Sequence, residues 1–255
     1  MRTIILAGGL GSRLSEETVT KPKPMVVIGT EPILWHILKH YAHYGFADFI
    51  IALGYRGDLI KQYFTQYAAL AGDLTVNTRR GVVESSGDAG EDWTVRLVET
   101  GLETGTGGRL RRVAHLIDGT FMLTFGDGVA DVPLDRLLEF HRAHGRLATI
   151  TAVRPPARFG HVEIDGDKVV EFSEKPQTGE GWINGGYMVL EPGVLDYIDG
   201  DESFLQKEPM ERLAAEGQLM AYRHESFWQC MDTMRDRVML EQLWNSGHAP
   251  WKVWA

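Results

Sequence analysis

The sequence predicts an α/β domain in which a Rossmann-like, mixed, mostly parallel sheet is flanked by helices. Three observations carry that prediction. Apolar runs of strand length alternate along the chain with amphipathic stretches of helical spacing, and the opening order is strand, helix, strand, helix. With 255 residues, 44% of them hydrophobic, there is apolar side chain enough for one large core. No internal repeat or linker interrupts the pattern, so a single domain over 1–255 is expected.

The elements follow in order. Thr3-Ile4-Ile5-Leu6 reads as a buried strand, broken by the glycine-rich turn Ala7-Gly8-Gly9-Leu10-Gly11-Ser12-Arg13. Leu34, Ile37, Leu38 and Tyr41 have helical spacing over 32–44, and Gly45 ends that helix. Asp48–Leu53 is a second buried strand, 58–70 a second amphipathic helix, and 94–98 alternates like a strand. Residues 81–92, rich in acid, serine and glycine, predict an exposed, mobile loop. Leu110, Val113, Ala114 and Ile117 predict a helix over 108–117, and Phe121–Phe125 is a core strand running straight into Gly126-Asp127-Gly128. A helix over Leu134–His144, a strand over Ala148–Val153, a hairpin over 161–172, a strand over Ile183–Leu190 and a helix over 204–216 come next. A last helix over 234–244 begins a helical C-terminal segment at about 234–255, whose Trp244, Trp251 and Trp254 are suited to closing over the domain's own core.

Composition excludes several function classes. A formal net charge of −9 opposes long-range attraction to nucleic acid or anionic lipid, so any phosphate site must be local. The opening residues carry too short an apolar run for a secretory signal, and no stretch has membrane-spanning length. Cys230 is the one cysteine, which excludes an intrachain disulfide framework and a zinc site built on several thiolates. A cytoplasmic protein is expected.

The turn after the first strand must be tested against glycine-rich phosphate loops. A P-loop needs Gly-Lys-Ser/Thr, which is absent, and a dinucleotide fingerprint would need glycine at position 14, which is Leu14. What remains is Gly8-Gly9-Leu10-Gly11-Ser12-Arg13 followed by Lys21-Pro22-Lys23-Pro24-Met25. Glycines let backbone approach a phosphate chain, and Arg13 and Lys23 supply charge at the same end of the sheet. The glycines alone read equally well as an ordinary strand-to-helix turn. The added basic residues favour a phosphate site.

At this point the chain resembles the sugar-nucleotide pyrophosphorylases, which open with Leu-Ala-Gly-Gly-x-Gly-x-Arg-Leu and then a Lys-Pro element; Leu6 to Leu14 and Lys23-Pro24-Met25 match residue for residue. The resemblance covers essentially the whole chain. Residues Glu103 to Leu110, Phe125 to Asp131, Phe172 to Pro176, Trp182 to Tyr187 and Phe227 to Thr233 look like motifs of the glucose-1-phosphate cytidylyltransferase branch. Cys230 departs from the proline expected there.

The resemblance implies a nucleotide-diphospho-sugar transferase type of fold and the formation of CDP-glucose and pyrophosphate from CTP and α-D-glucose 1-phosphate. Cytoplasmic enzymes of this kind commonly form homo-oligomers, and CDP-glucose feeds dideoxyhexose synthesis for surface polysaccharide such as lipopolysaccharide O-antigen. In that reaction an oxygen of the sugar phosphate attacks the α-phosphorus in line, and catalysis is positioning plus charge neutralisation. Asp127 and Asp232 are expected to converge on Mg²⁺, a hard cation suited to carboxylates; taken singly they would read as a turn aspartate and a helix N-cap. Lys23 and Arg13 are the expected catalytic groups, Lys23 on the transferred phosphate and Arg13 on the triphosphate and departing pyrophosphate. The resemblance places Leu6, Ala7, Gly8, Gly9, Gly11, Ser12, Thr104, Gly108, Arg109 and Gly128 at the nucleotide. For the residues from Thr104 to Arg109 the reason is that a helix start offers free N–H groups to base or ribose. Glu174, Lys175, Asn184 and Gly185 are expected at the sugar phosphate, with Gly185-Gly186 letting the hexose lie against backbone.

Other readings stay open. UTP, dTTP or GTP, or a mannose or heptose phosphate, would need only a few changed contacts. A nucleotide-sugar-dependent glycosyltransferase shares the layered sheet but uses Asp-x-Asp and lacks this opening; a silent binding subunit would not need Arg13, Lys23, Asp127, Lys175 and Asp232 together. His36 and His40, four apart on a helix, lack the glutamate of a zinc-protease motif and read as packing or surface residues, as do His141 and His144. Cys230 has no sequence-near base and is not proposed as a nucleophile.

Overall fold

The computed structural model describes residues 1–11, 14–70, 72–86, 90–155, 161–165, 168–173 and 181–255. A seven-stranded sheet is its centre, in the spatial order Leu219–His224, Ala148–Val153, Ile183–Leu190, Phe121–Phe125, Arg2–Ala7, Asp48–Leu53, Thr94–Glu99. Every neighbouring pair is parallel except the two made by Ile183–Leu190, which runs against both its neighbours. The sheet is therefore mixed and mostly parallel, as the alternation of strands and helices predicts.

Strands buried on both faces need continuous apolar runs, and Arg2–Ala7 and Asp48–Leu53 have them after their first residues. Ile5, Ala7, Ile51 and Leu53 point into a core with Ile33, Leu34, Ile37 and Tyr41 of the Ile33–His43 helix. Ile4, Leu6, Ile50 and Ala52 point the other way, against Leu110, Val113 and Leu213. The tryptophan tail covers the first face. Trp251 is fully buried, Trp254 nearly so, and Trp251 stacks on Phe227 with centroids 5.6 Å apart. Gly29, at φ +68°, lies beneath Trp244, whose indole occupies the space a Cβ would need.

The helices differ in detail from the spacing. The predicted 108–117 helix is the helix Thr106–Arg112 followed by a short 3₁₀ turn, Ala114–Leu116. The 204–216 helix starts only at Glu208, with Pro209 in its first turn. Residues of the predicted 81–92 loop are exposed at 81–84, but Val82–Ser86 is a strand paired antiparallel with Asp73–Asn77. Val76 faces Val83 across that ladder, and such β-branched pairs favour a hairpin that acidic and glycine content conceals. The hairpin of His161–Asp165 and Lys168–Ser173 forms as predicted.

His36 and His40 are buried, against the surface alternative. Nε2 of His36 donates to the Ile28 carbonyl, and its Nδ1 accepts from the Trp251 indole N–H. His40 bonds the Val132 carbonyl through Nε2. His141 is buried against Thr149 and Glu191. These histidines hold elements together, in agreement with the packing reading.

Candidate active site

Two adjoining clefts open at the carboxyl ends of Arg2–Ala7 and Phe121–Phe125, where an open α/β sheet leaves room for a ligand. The larger, about 420 Å³, is lined by Leu6, Ala7, Gly8, Gly9 and Gly11 of the opening turn, with Lys23, Thr104 and Arg109. The smaller, about 270 Å³, is lined by Gly128, Asn184, Gly185, Trp228, Cys230 and Asp232. Phe125 and Asp127 line both. A ligand in each would meet its neighbour at Asp127.

Lys23 stands at that junction. It opens a 3₁₀ turn, Lys23–Met25, braced by Pro22 and Pro24, and is only 8% exposed. Its Nζ donates to Asp127 Oδ2 at 2.7 Å and to Asp232 Oδ1 at 2.5 Å. Burial works to lower the Lys23 pKa, but the charge of Asp127 and the hydrogen bonds to both carboxylates outweigh it, so the ammonium is held above its ordinary value.

Asp232 reaches this point through two local devices. Trp228–Cys230 pairs antiparallel with Gly128–Ala130, so that Cys230 faces Gly128, and the Asp127 carbonyl accepts from Met231 N–H. The next helix, Met234–Asn245, is capped by Thr233, whose hydroxyl accepts from Asp236 N–H while Asp236 accepts from the N–H of Thr233 and of Asp232. The N-cap is thus Thr233. Asp232 is spared that role and its carboxylate turns to Lys23. Cys230 lies beside them, its thiol pushed up by burial and by the Asp127 charge.

Several expected ligand residues have other employment. Arg109 lines the larger cleft, but both of its terminal nitrogens are engaged by protein: Nη1 donates to the Leu53 carbonyl, Thr100 Oγ1 and the Gly101 carbonyl, and Nη2 to the carbonyls of Gly8 and Leu102. It ties the opening turn to the ends of two neighbouring strands. Gly8 is glycine because a Cβ would lie 2.2 Å from that guanidinium. Of the N–H groups expected at the start of the Thr106–Arg112 helix, those of Gly107 and Gly108 are taken, as is that of Gly105 before it. Gly105 donates to the Asp201 carbonyl, and Gly107 and Gly108 to that of Ser203. Gly108 lies against the 201–203 backbone, where a Cβ would meet the Asp201 carbonyl oxygen at 2.2 Å, and it is absent from the walls of both clefts. Gly128 lines the smaller cleft rather than the one holding the opening turn. Gly185 and Gly186 lie in the smaller cleft, but the Val153 side chain and the Phe125 ring fill the space their Cβ atoms would need. Asn184 lines it too, its Oδ1 accepting from Gly186 N–H. Ser12, Arg13, Glu174 and Lys175 lie outside the described residues.

The sequence reading missed Phe204, Gln206 and Trp228. Phe204 reaches the larger cleft because the 201–203 backbone is stitched to the glycines before it, and with Leu10 and Leu102 it forms an exposed apolar rim suited to a planar base. Gln206 lines the smaller cleft and accepts from the Thr106 hydroxyl at 2.6 Å, joining the two sides. Trp228 donates its indole N–H to the Gly185 carbonyl. The usable signal was Gly105, Gly107 and Gly108, which mark a close backbone approach, though not its partner.

The nucleotidyl transferase family model matches residues 2–236. The chain is 51% identical to the glucose-1-phosphate cytidylyltransferase of Salmonella typhi and 42% identical to the probable glucose-1-phosphate cytidylyltransferase of Bacillus subtilis, over the full length of both partners in each case. The solved structure of HddC from Yersinia pseudotuberculosis shares the fold, with a TM-score of 0.71 at 22% identity over 95% of this chain and 99% of that one. Among the described residues, no helix is long and apolar enough to cross a membrane.

Proposed function

The chain belongs to the nucleotidyl transferase family, and from that premise we propose that it makes CDP-glucose and pyrophosphate from CTP and α-D-glucose 1-phosphate. The observation that carries the reading is the pair of clefts meeting at Asp127, where the Lys23 ammonium is bonded. The larger, with glycine backbone and an apolar rim, suits a nucleoside triphosphate; the smaller suits a hexose phosphate. Their junction is where the new bond must form.

An oxygen of the sugar phosphate attacks the α-phosphorus, the bond to the leaving pyrophosphate breaks, and no protein nucleophile is needed. Lys23 offers a positive charge at the junction for the transferring phosphate, with Arg13 assigned to the triphosphate and Lys175 to the sugar phosphate. Asp127 and Asp232 fit a divalent cation, since the geometry already brings both carboxylates onto one positive group. Mg²⁺ bound there would neutralise charge on both phosphate-bearing substrates. Arg109 and Gly108 shape the nucleotide side without touching the ligand.

The same reading makes the protein a cytoplasmic homo-oligomer, supported by its single cysteine and by the exposed valines of the Asp73–Asn77 hairpin; light scattering on the purified chain tests the assembly. For the reaction, four triphosphates are offered with glucose 1-phosphate and the products weighed. CDP-glucose is expected with CTP; turnover with UTP and none with CTP would overturn the assignment. Asp127→Asn and Asp232→Asn should each abolish pyrophosphate release.

A further inference from the structure

Cys230 brings a soft atom into a site otherwise suited to hard cations. One ligand atom each from Asp127, Cys230 and Asp232 lie within 4.8 Å of one another. The strand pairing that sets Cys230 opposite Gly128 fixes the sulfur beside the carboxylates. A second observation marks the spot as one for a cation: the Lys23 ammonium is held there by both carboxylates, 2.7 Å from Asp127 and 2.5 Å from Asp232. Oxygen ligands alone favour Mg²⁺ or Mn²⁺, whereas one sulfur among them shifts preference towards Zn²⁺, Co²⁺ and Cd²⁺, with four-coordinate geometry within reach of a water.

We propose that Cys230 converts the Asp127–Asp232 pair into a mixed oxygen and sulfur centre that takes a thiophilic divalent cation, Zn²⁺ above all, more tightly than a hard one. The ion replaces the Lys23 ammonium between the carboxylates. A metal–sulfur bond forms, the thiol proton passes to solvent, and no oxidation state changes. Zn²⁺ then competes for the position assigned to Mg²⁺, which makes the enzyme sensitive to zinc at a place where a proline in position 230 would leave it indifferent.

The test uses the full chain and metal alone, so its failure leaves the reaction assigned above untouched. Co²⁺ is titrated into the nucleotide-free protein while the sulfur-to-cobalt charge-transfer band is followed. Because Cys230 is the one cysteine, that band reports on it and on no other residue. It should saturate at one Co²⁺ per chain, disappear on addition of Zn²⁺, and be absent in Cys230→Ser. Removing even an outer partner of a metal ligand weakens binding roughly 10–100-fold, so Cys230→Ser should weaken Zn²⁺ at least about tenfold while leaving Mn²⁺ binding, read by electron paramagnetic resonance, within about twofold. Asp127→Asn, checked for folding by circular dichroism, should also lose the band. Cobalt bound without a charge-transfer band, saturation at half an equivalent as two chains share one ion, a band that survives Asp127→Asn, or equal Zn²⁺ affinity in Cys230→Ser would each overturn the proposal.

Discussion

Replacing Arg109 by lysine separates a residue that shapes the cleft from one that binds the nucleotide. The guanidinium spans five acceptors; an ammonium placed near Nη1 can still serve the Leu53 carbonyl, Thr100 Oγ1 and the Gly101 carbonyl, but not those of Gly8 and Leu102 on the Nη2 side. Two charge-assisted hydrogen bonds are then lost, each worth about 1.5–3 kcal/mol. The full sum overstates the cost, because the Gly8 carbonyl keeps the Tyr55 N–H at 3.2 Å and exposed Leu102 can turn to water. A net loss of about 2 kcal/mol remains, which for a chain of this size lowers the melting temperature by about 4–8 °C. Differential scanning calorimetry reads the stability, and steady-state kinetics give KM for CTP. A few-fold rise in KM is expected, from loosening of the Gly8 turn. An unchanged melting temperature with CTP affinity reduced more than about tenfold would refute the reasoning and return Arg109 to the role of a direct ligand.

Lys23→Met should keep the fold but lower kcat by about 10²–10³-fold, and should tighten Mn²⁺ binding to the nucleotide-free chain, since the ammonium no longer occupies the carboxylates. The raised pKa of Lys23 makes its ion pairs a source of stability below its ordinary value of 10.5 that is lost only at still higher pH, so melting curves from pH 7 to 9 should show no loss from this group. Burial depresses His36 and His40 to about 4 from an ordinary 6.5, so the unfolded chain takes up their protons first as pH falls. Stability should drop between pH 6.5 and 4 by up to about 3 kcal/mol for each, and His36→Phe should flatten that slope in a pH series of melting temperatures. Phe204→Ala should raise KM for CTP about tenfold with KM for glucose 1-phosphate unchanged, whereas Gln206→Ala should affect the sugar phosphate first; the reverse split would show that the two clefts are assigned the wrong way round.

Much of the sheet was legible because its inner strands are buried on both faces. A run such as Phe49–Leu53 must be apolar throughout, and a local pattern of that kind reads directly. The exposed Val82–Ser86 strand was not legible, since its stability comes from a partner strand and its composition is that of a loop. The opening turn, Lys23 and the two aspartates were within reach of sequence through the resemblance of their motifs, since singly they read as a turn, a solvated lysine, a turn aspartate and a cap. What each of them touches was not. Arg109 and Gly108 read as ligand residues at a helix start, and the fold brings the Gly8 turn and the 201–203 backbone against them. Asp232 looked like a cap until Thr233 and Asp236 took the cap between themselves. Sequence by itself determined the layered sheet and the chemical kinds of side chain at its open end, because those follow from local spacing. Only tertiary structure decided which donors the protein itself takes up and that the Lys23 ammonium stands between two carboxylates, because hydrogen bonds are finite and their partners lie a hundred residues or more away along the chain.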